Sequence, residues 1–173
     1  MSNPVLETIK KRRSVVRFES TPIEEEEVEA ILEAGQWAPS WLNKQPWKFI
    51  VVTDKGIKEQ LSHVVPTVFT KAIVEAPVCI AIAVDTEVDS FHFVEAGAIA
   101  TQNMALAAHS LGLCSCWIGV FNLKGERNSS EVKVKKVLGL PRTYRVISLL
   151  PIGHPLGEIS KKSRKVLEQL VYR

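Results

Sequence analysis

Ala38-Pro39-Ser40-Trp41-Leu42-Asn43-Lys44-Gln45-Pro46-Trp47-Lys48-Phe49 sets two prolines, two amide side chains and two indoles in one short segment. Pro39 and Pro46 each lack a backbone donor and push the preceding residue towards extended conformations, so no helix runs through this stretch. Asn43 and Gln45 each carry an acceptor and two donors, which suits the edge of a planar heteroaromatic where donors and acceptors alternate. Trp41 and Trp47 add flat apolar area. A polar turn leading into a strand is the plainer reading of the same residue types, because loops commonly carry Pro, Asn and Ser.

Upstream, Thr21, Pro22 and Glu24 form a capping-box start, and the acidic run 24–27 sits at the positive end of the helix that follows. That run is a solvated face and not a metal site. Val28, Ile31 and Leu32 face the core, and Gly35 is the expected stop. Nearer the N-terminus, Ser2 or Asn3 caps a first helix with Pro4 at its first position and an apolar stripe of Val5, Leu6 and Ile9. Arg12-Arg13-Ser14-Val15-Val16-Arg17-Phe18 then brings guanidinium forks and a hydroxyl together. Such forks bind phosphate oxygens in two-point fashion; a solvated basic turn is the alternative.

Downstream, 47–53 reads as a strand, 54–62 as a short helix, and 66–75 as helical or irregular. The near-continuous apolar run 77–84 is expected to be a strand covered on both faces, ending at Asp85. Residues 90–110 have helical periodicity and many small side chains, with Val94, Ala98, Thr101, Ala105 and Ala108 near one stripe. A helix this rich in Ala and Gly can be approached closely on more than one side, by a sheet and a second subunit or within a buried monomer core. Gly112 ends it, 113–119 reads as a buried strand, Ser129 or Ser130 caps a helix over 131–138, and 144–152 reads as a final core strand. The tail 160–173 is basic and then amphipathic through Val166, Leu167, Leu170 and Val171; it is too apolar to be free and is expected to pack on something.

The chain has 173 residues, 46% of them hydrophobic, which suits one globular domain over 1–173 with no repeat or linker. A net charge of +3 is too small to argue for nucleic acid, and a local anion site fits better. Cys79, Cys114 and Cys116 are an odd count within apolar runs, a reduced and intracellular pattern. No apolar stretch approaches the roughly 20 residues of a membrane span, and no signal-type core is evident at the start, so the cytoplasm is the default. Cys114-Ser115-Cys116 invites a metal reading, with His109 and Cys79 as helpers, but a zinc site needs four ligands and buried core cysteines are preferred; no metal is expected. His63, His92 and His154 stand singly and read as surface or satisfied histidines. No Ser-His-Asp or paired-carboxylate arrangement follows from spacing, and no catalytic side chain is named.

The run Ala-Pro-Ser-x-x-Asn-x-Gln-Pro-Trp-x-Phe resembles the flavin-contacting loop of the FMN-dependent nitroreductase family. Arg12-Arg13-Ser14 and Lys162-Ser163-Arg164 match further family segments in the right order, with the alanine-rich helix between them. Composition alone allows a doubly wound parallel sheet; the resemblance implies an α+β, three-layer fold with a mostly antiparallel central sheet flanked by helices. It implies FMN as cofactor, with phosphate contacts from Arg12, Arg13, Ser14, Lys162 and Arg164. Ring contacts would come from Pro39, Ser40, Trp41, Asn43 and Gln45 of a neighbouring subunit, and from the strand end at Gly119, where glycine would let the backbone approach closely. A glycine at a strand terminus is the plain alternative for Gly119. The family commonly has a basic residue where this chain has Val16, with Arg17 one place late, and a second serine where it has Trp41. The implied activity is ping-pong electron transfer from NADH or NADPH to small acceptors such as nitroaromatics or quinones, in a homodimer with flavin sites at the interface. The alternatives are a flavin-sequestering protein with little turnover and a related flavin enzyme with a dedicated substrate, such as one for reductive dehalogenation.

Overall fold

The computed structural model describes residues 3–65, 67, 69–160 and 162–172. Ser2 as an alternative cap, and Pro66 and Arg173 as segment ends, lie outside them. The sheet is built on two long apolar strands, β2 (Val78–Asp85) and β5 (Tyr144–Gly153), paired antiparallel with Val78 opposite Ile152 and a register shift between Ile82 and Ala83. On one side β2 pairs antiparallel with β1 (Trp47–Val52), Trp47 opposite Val84. On the other side β5 pairs antiparallel with two short strands, β3 (Cys114–Ser115) and β4 (Ile118–Gly119). The expected strand over 113–119 is therefore interrupted at Cys116 and Trp117, where the Cys116 N–H still bonds across to the Pro151 carbonyl at 3.2 Å.

Both faces of β2 are covered, as its unbroken apolar run requires. Cys79, Ala81 and Ala83 pack with Leu61 of α3 (Lys55–Val64), Ile73 of α4 (Thr70–Glu75) and Val134 of α6 (Ser130–Val137). Val78, Ile80 and Ile82 pack with Ile31 of α2 (Glu25–Gln36) and Met104 of α5 (Phe93–Ser110). The result is three layers, helix–sheet–helix, with alternate side chains of one strand feeding the two cores. The remaining helix, α1 (Pro4–Lys11), is capped by Asn3, whose Oδ1 accepts from the N–H groups of Val5 and Leu6.

Two helix readings change. α2 begins at Glu25 and not at Thr21, because the Thr21 hydroxyl is spent on Glu19 while the Glu27 carboxylate accepts the Glu24 N–H at 3.1 Å. Gly35 does not stop the helix; it lies buried inside its last turn, where a Cβ would meet Met104 and Phe49. On α5 the buried residues are Ala96, Gly97, Ala100, Thr101, Met104, Ala105 and Ala108, whereas Val94 and Ala98, expected on the stripe, are only half-buried. Gly97 explains the shift. A Cβ there would lie 2.4 Å from Ile147 Cγ1 and 3.2 Å from Val84 Cγ1, atoms of stiff β-branched side chains in the sheet. Gly97→Val is expected to destabilise the fold by about 1–3 kcal/mol through overpacking, read as a lower urea midpoint with an unchanged slope.

A buried polar clamp holds the loop 121–130 against the sheet. Glu131, 1% exposed, accepts from Arg145 through both carboxylate oxygens and from the Asn122 N–H at 2.9 Å. Arg145 also donates to the Asn122 carbonyl and lies over the rings of Phe93 and Phe121. Hydrogen bonding to Glu131 pushes the Arg145 guanidinium above its ordinary range, against burial.

Candidate functional site

The loop between α2 and β1 is pinned at both ends by buried Ala38 and Pro46 and stands exposed between them. It contains a single 3₁₀ turn, Trp41–Asn43, and three non-glycine residues in the left-handed region: Leu42 at φ 49°, Asn43 at φ 55° and Gln45 at φ 50°. Each such residue costs about 1–3 kcal/mol, and this kind of strain concentrates at functional sites. The Ser40 hydroxyl accepts the Gln45 N–H at 2.9 Å, and the Gln45 side-chain NH₂ donates to the Asn43 carbonyl at 3.2 Å. Asn43 and Gln45 line a cavity of about 460 Å³ with Glu33, Gln36 and Trp37.

On the other flank, Pro39, Ser40 and Trp41 line a second cavity of about 240 Å³ with His92, Glu95 and Ile99 of the α5 start. The Trp41 indole lies against the His92 imidazole, ring centres 5.0 Å apart and planes tilted by 30°, and Lys44 Nζ stands 4.5 Å from the indole centre. Asp89 is fully buried beneath, and its Oδ1 accepts from the N–H groups of Phe91 and His92, each at 3.0 Å. Burial alone would raise its carboxyl; the two N–H donors, with His92 and Lys44 nearby, outweigh that and hold it below its ordinary value. Sequence reading missed this unit. Asp89 and His92 show only a short spacing before a helix, and nothing local ties them to Trp41, half a hundred residues earlier.

Arg12, Arg13 and Ser14 follow α1 at the opposite end of α5. Among the described residues neither arginine has a carboxylate within ion-pair distance, and the Nε of each is buried without a hydrogen-bond partner. Arg13 is aimed by donating to the carbonyls of Lys10 and Arg12. Ser14 is exposed and bridges in parallel to Ser115, with the Val15 N–H on the Ser115 carbonyl at 3.0 Å. His109, in the last turn of α5, is held below its ordinary value by burial and then by the charges of Arg12, Arg13 and Lys11. Half-buried guanidiniums with orphaned donors and no counter-ion fit a phosphate dianion. Arg17 does not join them: it points to Glu75, Nε to Oε2 3.1 Å.

Lys162 and Arg164 are exposed, and Arg164 donates to the Ser163 carbonyl at 3.1 Å. Their segment leaves β5 alongside 17–19, through the Phe18–Pro155 bridge and the Leu156 N–H on the Arg17 carbonyl. Gly119 is exposed on β4, and a Cβ there would meet only Trp117 Nε1 at 3.7 Å, so no neighbour in this chain requires glycine. The tail expected to pack on something does not pack on its own chain: Val166, Leu167, Leu170 and Val171 are exposed. Exposed too are Val5, Leu6 and Ile9 on α1 and Trp37 at 77%, beside a groove of about 410 Å³ between α1, α2 and α5. Cys79, Cys114 and Cys116 are buried free thiols; burial pushes Cys79 up to about 12 and raises the other two.

His92 at the start of α5 and His109 in its last turn mark the two loci. Seventeen residues at about 1.5 Å each put them roughly 25 Å apart, more than one FMN molecule spans.

Residues 9–74 and 63–154 match the family model described as the nitroreductase family. A protein of Methanothermobacter thermautotrophicus, provisionally named NADH dehydrogenase/NAD(P)H nitroreductase, is 33% identical over 153 residues, covering 87% of this chain and 77% of its own. An FMN-dependent nitroreductase structure from Clostridium difficile superposes with a TM-score of 0.88 at 30% identity, covering 97% of this chain and 98% of its own. A Desulfovibrio desulfuricans structure, provisionally described as a nitroreductase in complex with FMN, gives 0.84 at 31% identity over 100% and 98% of the two chains.

Proposed function

The chain belongs to the nitroreductase family, and from that premise we propose that residues 1–173 form one FMN-binding domain that transfers electrons from NAD(P)H to small acceptors such as nitroaromatics or quinones. The observation that carries this reading is the pair of half-buried arginines, Arg12 and Arg13, with orphaned Nε donors and, among the described residues, no carboxylate within ion-pair distance. FMN, when bound, supplies the redox chemistry: it takes hydride equivalents from NAD(P)H and yields them to an acceptor in a second half-reaction.

The chain's own residues bind and orient. Arg12, Arg13 and Ser14 hold the phosphate, with Lys162 and Arg164 available from the exposed tail. Pro39, Ser40, Trp41, Asn43 and Gln45 face the ring, the amides of Asn43 and Gln45 bonding its polar edge, and the open backbone at Gly119 faces it from the strand side. The separation of the two loci along α5 supports a homodimer in which each site takes its phosphate end from one chain and its loop from the other. The uncovered apolar surfaces of α1, Trp37 and the tail support the same assembly. Free buried thiols support a cytoplasmic setting.

The visible spectrum of the purified protein tests the proposal: oxidised-flavin bands, a chromophore released as FMN, and bleaching by NAD(P)H are expected, and a colourless protein that refuses added FMN would overturn it. A second readout is His109. Anion binding at Arg12 and Arg13 offsets the charges that lower its pKa, so its titration by NMR is expected to move upward when inorganic phosphate or FMN is added.

One observation favours a second reading, a flavin-sequestering protein with little turnover: Trp41, held over the α5 start by His92 and Lys44, narrows the approach to the loop. Trp41→Ser is expected to raise turnover of bulky acceptors relative to small ones; unchanged selectivity removes Trp41 as a lid.

A further inference from the structure

The three left-handed residues at 42, 43 and 45 need something to hold them, and the hydrogen bonds within the loop do only part of it. Ser40 fixes the Gln45 N–H, and the 3₁₀ turn closes through Asn43 N–H to the Ser40 carbonyl and Lys44 N–H to the Trp41 carbonyl. All of these lie inside the loop and move with it. One contact between the turn and the body of the protein is Trp41 on His92, 5.0 Å between ring centres, with Lys44 Nζ 4.5 Å from the indole centre.

His92 is itself fixed from below. Asp89 is fully buried and takes both the Phe91 and His92 N–H groups on Oδ1, which sets the backbone that leads into α5. Nδ1 of His92 is buried, has no hydrogen-bond partner, and lies 3.7 Å from the same Oδ1. A buried carboxylate thus orients an imidazole whose ring face carries the indole. Glu95, one turn further on, is the other charged group at this cavity.

We propose that His92, seated on the buried carboxylate of Asp89, is a positioning residue for the flavin-contacting loop: it carries the Trp41 indole and thereby keeps the left-handed backbone that presents Asn43 and Gln45. This rests on the reading that those amides face FMN. His92 acts through Trp41 and need not touch the flavin. Without the stack, the strained turn relaxes into other conformers, and the apparent affinity for FMN falls by the fraction of chains still in the competent one. An aromatic pair of this kind accounts for a factor of roughly three to ten.

The experiment measures FMN affinity by flavin fluorescence, and backbone hydrogen exchange over 41–45 in the flavin-free protein, for wild type, His92→Ala, His92→Phe, Trp41→Ala and His92→Ala/Trp41→Ala. Expected are about three- to tenfold weaker binding and faster exchange at 42–45 for His92→Ala, values within about twofold of wild type for His92→Phe, and no further loss when His92→Ala is added to Trp41→Ala. Wild-type affinity and exchange in His92→Ala, or a loss that persists in full on the Trp41→Ala background, would overturn the proposal. A wild type that binds no FMN would instead remove the reading of the site, and exchange at 42–45 would still decide whether His92 holds the loop.

Discussion

Arg13→Ala is expected to weaken FMN binding by about 10- to 150-fold, the equivalent of one charge-assisted contact worth roughly 1.5–3 kcal/mol. The cause is specific to this position. Arg13 is anchored by the Lys10 and Arg12 carbonyls, is half-buried, and among the described residues has no carboxylate within ion-pair distance. Removing an exposed lysine such as Lys48 would change little by comparison. Co-expression distinguishes a shared site from a site within one chain. In the proposed homodimer, Arg13→Ala alone removes that arginine from both sites, and Asn43→Ala alone removes that amide from both. If each site is shared between chains, a mixed dimer has one site with both residues intact and one with neither; if each site lies within one chain, every site carries one lesion. If each site draws on two chains, mixed dimers bind one FMN with wild-type affinity; if each site lies within one chain, no tight site appears.

Glu131→Ala is expected to lower the unfolding free energy by about 3–5 kcal/mol, because it leaves the Arg145 guanidinium part-buried with its carboxylate partner gone. Against a typical total of about 5–15 kcal/mol this is a large share. The Asn122 N–H loses its acceptor in the same stroke, so the loop 121–130 is released along with the ion pair. Thermal unfolding checks the size of the effect. Replacing Glu131 and Arg145 together by leucine is expected to recover much of the loss, since a buried pair exchanged for apolar packing is often neutral. If the double variant were as unstable as Glu131→Ala alone, the clamp's value would lie in the Asn122 bonds and the Phe93 and Phe121 ring contacts and not in the charge pair.

Much of the local structure was legible. The apolar run of β2 had to be covered on two faces, Asn3 and Pro4 had to open a helix, and the prolines at 39 and 46 had to leave a loop between helix and strand; short-range sterics and hydrogen-bond supply decide such matters. The arginine segment and the amide loop were nominated as candidate binding residues on the same local grounds, the donors and acceptors of their side chains.

Distant packing decided the rest. Gly35 reads as a helix stop, and becomes a contact point only because Met104 lies against it. Interleaved helices and strands are compatible with a parallel sheet, and the antiparallel order comes from which strands pair across the chain. The same limit hid the Trp41–His92 stack, built by residues far apart in sequence. From the sequence itself came the candidate parts whose side chains suit an anion and a planar ring, because residue type carries that chemistry. Only the tertiary structure set those parts at opposite ends of α5 and seated the loop on a buried aspartate, because long-range position is set by how the cores pack and by nothing in the neighbouring residues.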